Sequence, residues 1–290
     1  MGCGSWDRDS FNSYTRSTKR GASIDSSGRV VTSMGNQDIF KSRSLNEALN
    51  PKGVIRECRD SEEHPNTIPV ILALDVTGSM GQAAVEVAKT INVIMTDLYD
   101  KIKDVEFMIM GIGDFYSDRV PLQVSQFESD IRIAEQLDKI FFEFNGGGNL
   151  FESYTAAWYF GSRHCDLDCW KRNKKGIIIT MGDERINPYL PEVGNYASIS
   201  SVIGDNVQSD IETKDLYAEA KEKFDIYHLN VEHGRNYDKE NIIKSWREFL
   251  DENHFRNVNL DDIANQIVDI IENSVNEVET VVNNTDGISW

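Results

Sequence analysis

The stretch that decides the fold is "VILALDVTGSMG", residues 70–81. It overlaps a continuous apolar run, "IPVILALD" at 68–75, which has the length of one strand and suits a strand buried on both faces. The run stops on Asp75, and Thr77 and Ser79 follow at alternate positions. Alternate residues of an extended turn can point to one side, so these three oxygens can converge. Such hard oxygen ligands suit Mg²⁺, Mn²⁺ or Ca²⁺; the alternative is an ordinary strand-end turn with Ser79 as a helix cap.

Apolar strands and amphipathic helices alternate along the rest of the body. The patterns predict further strands at 105–114, 121–127, 175–184, 224–231 and near Val258, and helices at 44–50, 81–100, 129–142, 151–162, 208–223, 239–252 and 260–283. This alternation predicts an α/β fold of the Rossmann-like, doubly wound type, with a mostly parallel sheet, helices on both faces and one short antiparallel edge strand. In such sheets ligands lie at the carboxyl ends of the strands, near a topological switch point.

The chain is expected to divide into three parts. Residues 1–67 form an N-terminal arm that is rich in Ser, Gly, Asn and Thr and is predicted to be partly irregular, because it has few large aliphatic side chains to bury. Residues 68–283 form the α/β domain, and residues 284–290 form a C-terminal tail.

Composition excludes some classes of protein. The formal net charge of −18 disfavours binding to nucleic acid phosphates and suits cation binding or a basic partner surface. We expect no membrane segment, since no run of about 18 apolar residues occurs. The N-terminus lacks the apolar core of a signal peptide, and four cysteines are too sparse for a disulfide scaffold, so a cytoplasmic location is expected.

Two later loops also carry candidate ligands, one just before a predicted helix and one at the end of a predicted strand. The glycine loop "NGGGN", residues 145–149, precedes a predicted helix, and "TMGDE" places Asp183 at the end of a buried strand. If the sheet sets that strand beside the first one, Asp183 joins Asp75. Asp114, in "GIGDFYSDR", also ends a strand and could lie on the same rim, although a solvent-exposed turn is the favoured interpretation.

"VILALDVTGSMG" resembles the first segment of the metal-ion-dependent adhesion site of von Willebrand factor A (vWA) domains. The family pattern is Asp-x-Ser-x-Ser, then a threonine in a glycine-rich loop, then an aspartate after a later strand. Asp75, Thr77 and Ser79 match the first segment, with Thr77 in place of the usual serine, and Asp183 matches the last aspartate. The resemblance covers about residues 68–283 and implies a Rossmann-like fold that binds proteins through a metal ion, usually without catalysis.

The glycine loop departs from the family pattern. In "GGGNLFES" the threonine position falls on Gly148 or Asn149, and glycine has no side chain that can ligate. Asn149 offers a carbonyl oxygen and is slightly favoured as the ligand. Glu152 is either an alternative ligand or a supporting residue, and it could also be simply an acid in the first helical turn, stabilised by the helix dipole.

The resemblance therefore implies an adaptor protein that binds a partner and has no enzymatic activity. Mg²⁺, or Mn²⁺ or Ca²⁺, would keep an open position for an acidic residue of a protein partner. Bacterial and phage members of the family often work with AAA+ ATPases of the MoxR type, so such an ATPase is the expected partner. Two alternatives stay open: a Mg²⁺-dependent phosphohydrolase with Asp75 as nucleophile, although Thr77 stands where haloacid-dehalogenase-type phosphatases have a second aspartate, and a structural component with a vestigial site.

Overall fold

The fold is taken from a computed structural model, which describes residues 4–18, 22–33, 36–78, 80–143, 150–192, 197–232 and 238–285. For residues 36, 37 and 277–285 it describes the backbone alone. Within the described residues, no helix has the length and apolar character needed to cross a membrane.

The elements alternate as the sequence predicts. The strands are β1 Ser23–Ile24, β2 Val30–Val31, β3 Arg56–Cys58, β4 Ile68–Asp75, β5 Val105–Ile112, β6 Leu122–Val124, β7 Phe151–Glu152, β8 Cys165–Leu167, β9 Gly176–Gly182, β10 Arg185–Ile186, β11 Tyr189–Leu190, β12 Ile211–Glu212, β13 Phe224–Val231 and β14 Phe255–Val258. The helices are α1 Arg8–Thr18, α2 Asn36–Ile39, α3 Gly81–Tyr99, α4 Arg132–Leu137, α5 Thr155–His164, α6 Asp168–Lys171, α7 Ile199–Val202, α8 Thr213–Lys223, α9 Lys239–Arg247 and α10 Ile263–Thr285, with 3-10 turns at Glu47–Leu49 and Leu260–Asp262.

A six-stranded sheet forms the centre, in the order β14-β13-β9-β4-β5-β6. All neighbouring pairs are parallel except β5 and β6, so β6 is the predicted antiparallel edge strand. The Rossmann-like α/β fold class is thereby confirmed.

The strand order creates a topological switch point at β4. From β4 the chain proceeds to β5 and β6 on one side, and then crosses to β9, β13 and β14 on the other. Leu74 of β4 lies opposite Met181 of β9, so the two strands end side by side. A crevice at the carboxyl ends of β4 and β9 is the place where ligands bind in such sheets.

The sheet is covered on both faces, which explains why β4 is apolar along its whole length. Val70, Leu72 and Leu74 belong to a core shared with α3, α4 and α10. Ile71 and Ala73 point to the opposite face, whose core includes side chains of α5, α8 and α9.

The N-terminal arm buries more apolar surface than its composition predicts. Phe11 of α1 and Phe40 are completely buried in the same core as α3. The indole N–H of Trp6 donates to Asn92 Oδ1 at 3.1 Å, and the amide of Asn92 donates to the Gly28 carbonyl at 2.8 Å. The arm is therefore tied to α3, while the predicted domain boundary at Ile68 stays a prediction.

Several predicted helices are shorter than expected: those at 208–223 and 239–252 are confined to Thr213–Lys223 and Lys239–Arg247, and the one at 44–50 is a 3-10 turn at Glu47–Leu49. The helix predicted at 151–162 begins only at Thr155, because residues 151–152 form strand β7. The helix predicted at 129–142 is confined to Arg132–Leu137. Apolar spacing marks which residues are buried, but it does not fix where a helix begins.

Candidate metal centre

Asp75 is the last residue of β4 and is completely buried. Its Oδ1 accepts hydrogen bonds from the amide and hydroxyl of Thr77, at 2.9 and 2.6 Å, and its Oδ2 accepts one from the Tyr154 hydroxyl at 3.0 Å. A hydroxyl that donates its proton still has oxygen lone pairs available for a cation. Thr77 can therefore offer an oxygen to an ion while it holds the carboxylate in place.

Asp183 follows β9 directly, and β9 pairs with the strand that ends on Asp75. Burial, and then the charge of Asp183, raise the pKa of Asp75 to about 7. Burial and Asp183 also raise the pKa of the neighbouring Glu184 to about 7. The charges of Asp75 and Asp183 thus act on each other, and this interaction is unfavourable without a cation.

Glu152 is the third carboxylate at this end of the sheet. It lies in β7, which pairs in parallel with β10. Backbone hydrogen bonds therefore join the segment after the glycine loop to the segment after Asp183. Glu152 is 5% exposed, and its Oε2 is buried without a hydrogen-bond partner. Burial, and then the charge of Asp75, raise its pKa well above the usual range.

The interpretation of Glu152 as an acid in the first helical turn is wrong. The helix begins three residues later, at Thr155, and Glu152 lies in an extended segment. A buried carboxylate oxygen next to another carboxylate needs a proton or a cation. The donor set around it, carboxylates and a hydroxyl, fits Mg²⁺, Mn²⁺ or Ca²⁺.

The predicted ligand set is only partly described by the structure. Ser79 and Asn149 lie outside the described residues. Among the residues that are described, no group of three or more His, Cys, Asp or Glu side chains is arranged to hold a metal ion. Thr77 contacts Asp75, the charge of Asp183 acts on Asp75 and that of Asp75 on Glu152, and the metal site remains a prediction.

Asp114 is not the exposed turn residue that the sequence favoured. It is 1% exposed, and its charge also contributes to the raised pKa of Glu152. Its Oδ1 accepts from the Tyr116 amide at 3.1 Å and lies 3.4 Å from the Ser153 hydroxyl. Its amide N–H donates to Asp118 Oδ2 at 2.8 Å. The loop after β5 therefore belongs to the same acidic rim.

Sequence reasoning missed two contributors, Tyr154 and Asp118. Tyr154 stands in "FESYTAAWYF", inside the helix predicted at 151–162, and nothing in that pattern gives it a separate role. Asp118 is four residues after Asp114, a spacing typical of a turn closed by an acidic side chain, and this was the available signal. No local pattern indicates that the Tyr154 hydroxyl reaches Asp75.

No protein-family model matches this chain, and no curated protein matches it. Among solved structures it is similar to the open conformation of the pilus adhesin SpaC from Lactobacillus rhamnosus GG, with a TM-score of 0.48 and 14% identity over 78% of this chain and 31% of that one. It is also similar to the vWF domain of the type V pili tip protein Mfa5 from Porphyromonas gingivalis, with a TM-score of 0.42 and 13% identity over 72% of this chain and 95% of that one.

The chain spans about a third of the length of the SpaC adhesin. Both TM-scores lie below 0.5, so the candidate site rests on the contacts within this chain and not on these two proteins.

Proposed function

We propose that this chain is a vWA-type protein-binding module that holds a divalent ion at the carboxyl ends of β4 and β9. Asp75, Thr77, Ser79 and Asp183 hold the ion, and Glu152 or Asn149 contributes from the glycine loop. When bound, the ion, Mg²⁺ or else Mn²⁺ or Ca²⁺, neutralises the carboxylates and offers an open position to an acidic residue of a partner.

One observation carries the proposal: Oε2 of Glu152 is buried without a hydrogen-bond partner, within the electrostatic influence of Asp75, on which the charge of Asp183 also acts. The nearby guanidinium of Arg185 is engaged elsewhere, since it pairs with Asp238 at 2.5 and 2.7 Å. Buried carboxylates repel one another, and a divalent cation removes this repulsion more effectively than protonation does at neutral pH.

The resemblance and the charge of the chain support the choice of partner. The vWA pattern suggests an AAA+ ATPase of the MoxR type in the cytoplasm, and the net charge of −18 favours a basic surface around the partner's acidic residue. The same charge disfavours nucleic acid. The proposal includes neither catalysis nor a membrane.

Ion binding is tested first, by calorimetry with Mg²⁺, Mn²⁺ and Ca²⁺. We expect the wild type to bind at least one of these ions, and Asp75→Asn and Asp183→Asn to lose binding while they stay folded. Asp225→Asn is the matched control, because Asp225 lies near the opposite, amino end of the sheet, in β13. Absence of ion binding by the wild type at millimolar concentration would contradict the proposal and favour a vestigial site.

Partner binding is tested next, by a pull-down from a lysate of the native host. Immobilised wild-type and Asp75→Asn chains are compared for the proteins they retain with Mg²⁺ and with EDTA. We expect a partner that is retained only by the wild type with Mg²⁺ and that is released when its own acidic residue is replaced. Hydrolysis of p-nitrophenyl phosphate by the wild type and not by Asp75→Asn would support the phosphohydrolase instead.

A further inference from the structure

Tyr154 contacts the ends of two strands that carry candidate ligands, β4 with Asp75 and β9 with Asp183. It also belongs to the segment that follows the glycine loop. It is completely buried, two residues after Glu152 and just before α5. Its hydroxyl donates to Asp75 Oδ2 at 3.0 Å, and the backbone N–H of Glu184 approaches the same hydroxyl at 3.4 Å. One oxygen thus joins the ends of β4 and β9 to the start of α5.

Gly182 makes this reach possible. A Cβ at that position would lie 1.8 Å from the Tyr154 hydroxyl and about 2.5 Å from the ring carbon that carries it, and neither distance is physically possible. Because the end of β9 has no side chain here, the phenol crosses it to meet Asp75. The glycine in "TMGDE" is therefore matched to the tyrosine in "FESYTAA".

The ring of Tyr154 is held from the other side by two aromatic residues. Trp246 of α9 and His228 of β13 each lie 5.2 Å away between ring centroids. The indole N–H of Trp246 also donates to the Glu184 carbonyl at 3.1 Å. The peptide groups of Glu184 are thus contacted by Tyr154 through the N–H and by Trp246 through the carbonyl, directly after Asp183.

We infer that Tyr154 is a positioning residue of the ion site, which fixes the orientation of the Asp75 carboxylate and the path of the loop that carries Asp183. This inference rests on the proposed function. Thr77 holds one oxygen of Asp75 and Tyr154 holds the other, so the carboxylate cannot rotate away from its acidic neighbours. Removing the hydroxyl frees Oδ2, and repulsion from Asp183 then turns the carboxylate out of place.

The test compares Tyr154→Phe with Tyr159→Phe, which lies on α5 and bonds through its hydroxyl to Asp205 at 2.6 Å. Calorimetry should show a roughly 10- to 100-fold weaker Mn²⁺ or Mg²⁺ affinity for Tyr154→Phe, as for other groups that orient a metal-binding side chain. Tyr159→Phe should bind the ion like the wild type. Thermal unfolding in EDTA checks that both variants are folded.

Hydrogen exchange in EDTA tests the same inference without any ion. The amide of Glu184 should exchange at least ten-fold faster in Tyr154→Phe and at the wild-type rate in Tyr159→Phe. Unchanged exchange together with unchanged ion affinity would overturn the inference. A wild type that binds no ion, with faster Glu184 exchange in Tyr154→Phe, would refute the proposed function and still support the positioning of this loop by Tyr154.

Discussion

Single residues show that burial alone does not identify an ion site. Glu106 of β5 is 1% exposed, and the thiol of Cys58, a weak hydrogen-bond donor, lies beside its carboxylate. Burial raises its pKa to about 7, as it does for Asp75, but Glu106 lies near the amino end of its strand. Glu152 differs because its strongest electrostatic neighbour is another predicted ligand. The influence of Asp75 at the end of β4, and not burial, therefore distinguishes Glu152 from Glu106.

Glu106 should make the stability of the protein depend on pH. Its pKa is higher in the folded chain than the usual 4.5, so the folded state binds its proton more tightly. Stability from this group is present below pH 4.5 and is lost as the pH rises through about 7. The loss is on the order of 3 kcal/mol, because folding raises the pKa of Glu106 from 4.5 to about 7.

Glu106→Gln removes this ionisation. We expect the variant to be more stable than the wild type at pH 8.5, and the advantage to disappear at pH 4.5, in urea denaturation at both pH values. Glu248→Gln, at an exposed position, is the control and should show no such pH-dependent difference. A wild type and Glu106→Gln variant with parallel pH profiles would show that the carboxyl is neutral or compensated throughout.

At the scale of elements, α3 explains why the arm is folded. Residues 83–88 of this helix are all buried, so apolar surface faces outward as well as toward the sheet. A helix that is apolar around most of its circumference must be covered on every side. Phe11 and Phe40 supply part of that cover. The sequence contains this signal in "AAVEVA", but it does not show which segment provides the cover.

Truncation of Phe11 tests the contribution of the arm. Phe11→Ala should lower the free energy of unfolding by about 3–5 kcal/mol, since it removes a completely buried aromatic ring. Val31→Ala, in the same arm but 50% exposed, should change it by no more than about 0.5 kcal/mol. Urea denaturation gives both values, and equal small effects would mean that the arm does not stabilise the body.

At the scale of the whole molecule, the 48 acidic residues outnumber the 30 basic ones. Many basic side chains are used in local pairs, such as Arg163 with Glu219 at 2.8 Å and Arg256 with Asp269 at 2.6 Å. The excess of negative charge destabilises the compact state through self-repulsion, which salt screens.

General screening and specific ion binding should be separable. We expect NaCl to raise the unfolding temperature of the wild type and of Asp75→Asn equally. MgCl2 at matched ionic strength should stabilise the wild type further, by about 2.7 kcal/mol at a free ion concentration 100 times Kd. That extra stabilisation should be absent in Asp75→Asn. Equal effects of the two salts on the wild type would argue against a specific site.

The sequence by itself determined the α/β class, the parallel central strands and the acidic ends of β4 and β9. Burial on two faces requires a continuous apolar run, and this pattern can be read locally in "IPVILALD" and "KGIIITMG". The family resemblance added the candidate ligands Asp75, Thr77, Ser79 and Asp183 from the same local patterns.

Only the tertiary structure decided which side chains meet. It placed Glu152 in a buried strand within the electrostatic influence of Asp75, buried Asp114, and brought the Tyr154 hydroxyl past Gly182 to the end of β4. The contact between the Tyr154 hydroxyl and Asp75 joins residues that are 79 positions apart along the chain. The order of the strands and the packing of α5 and α9 create this contact, and periodicity within one segment carries no information about either.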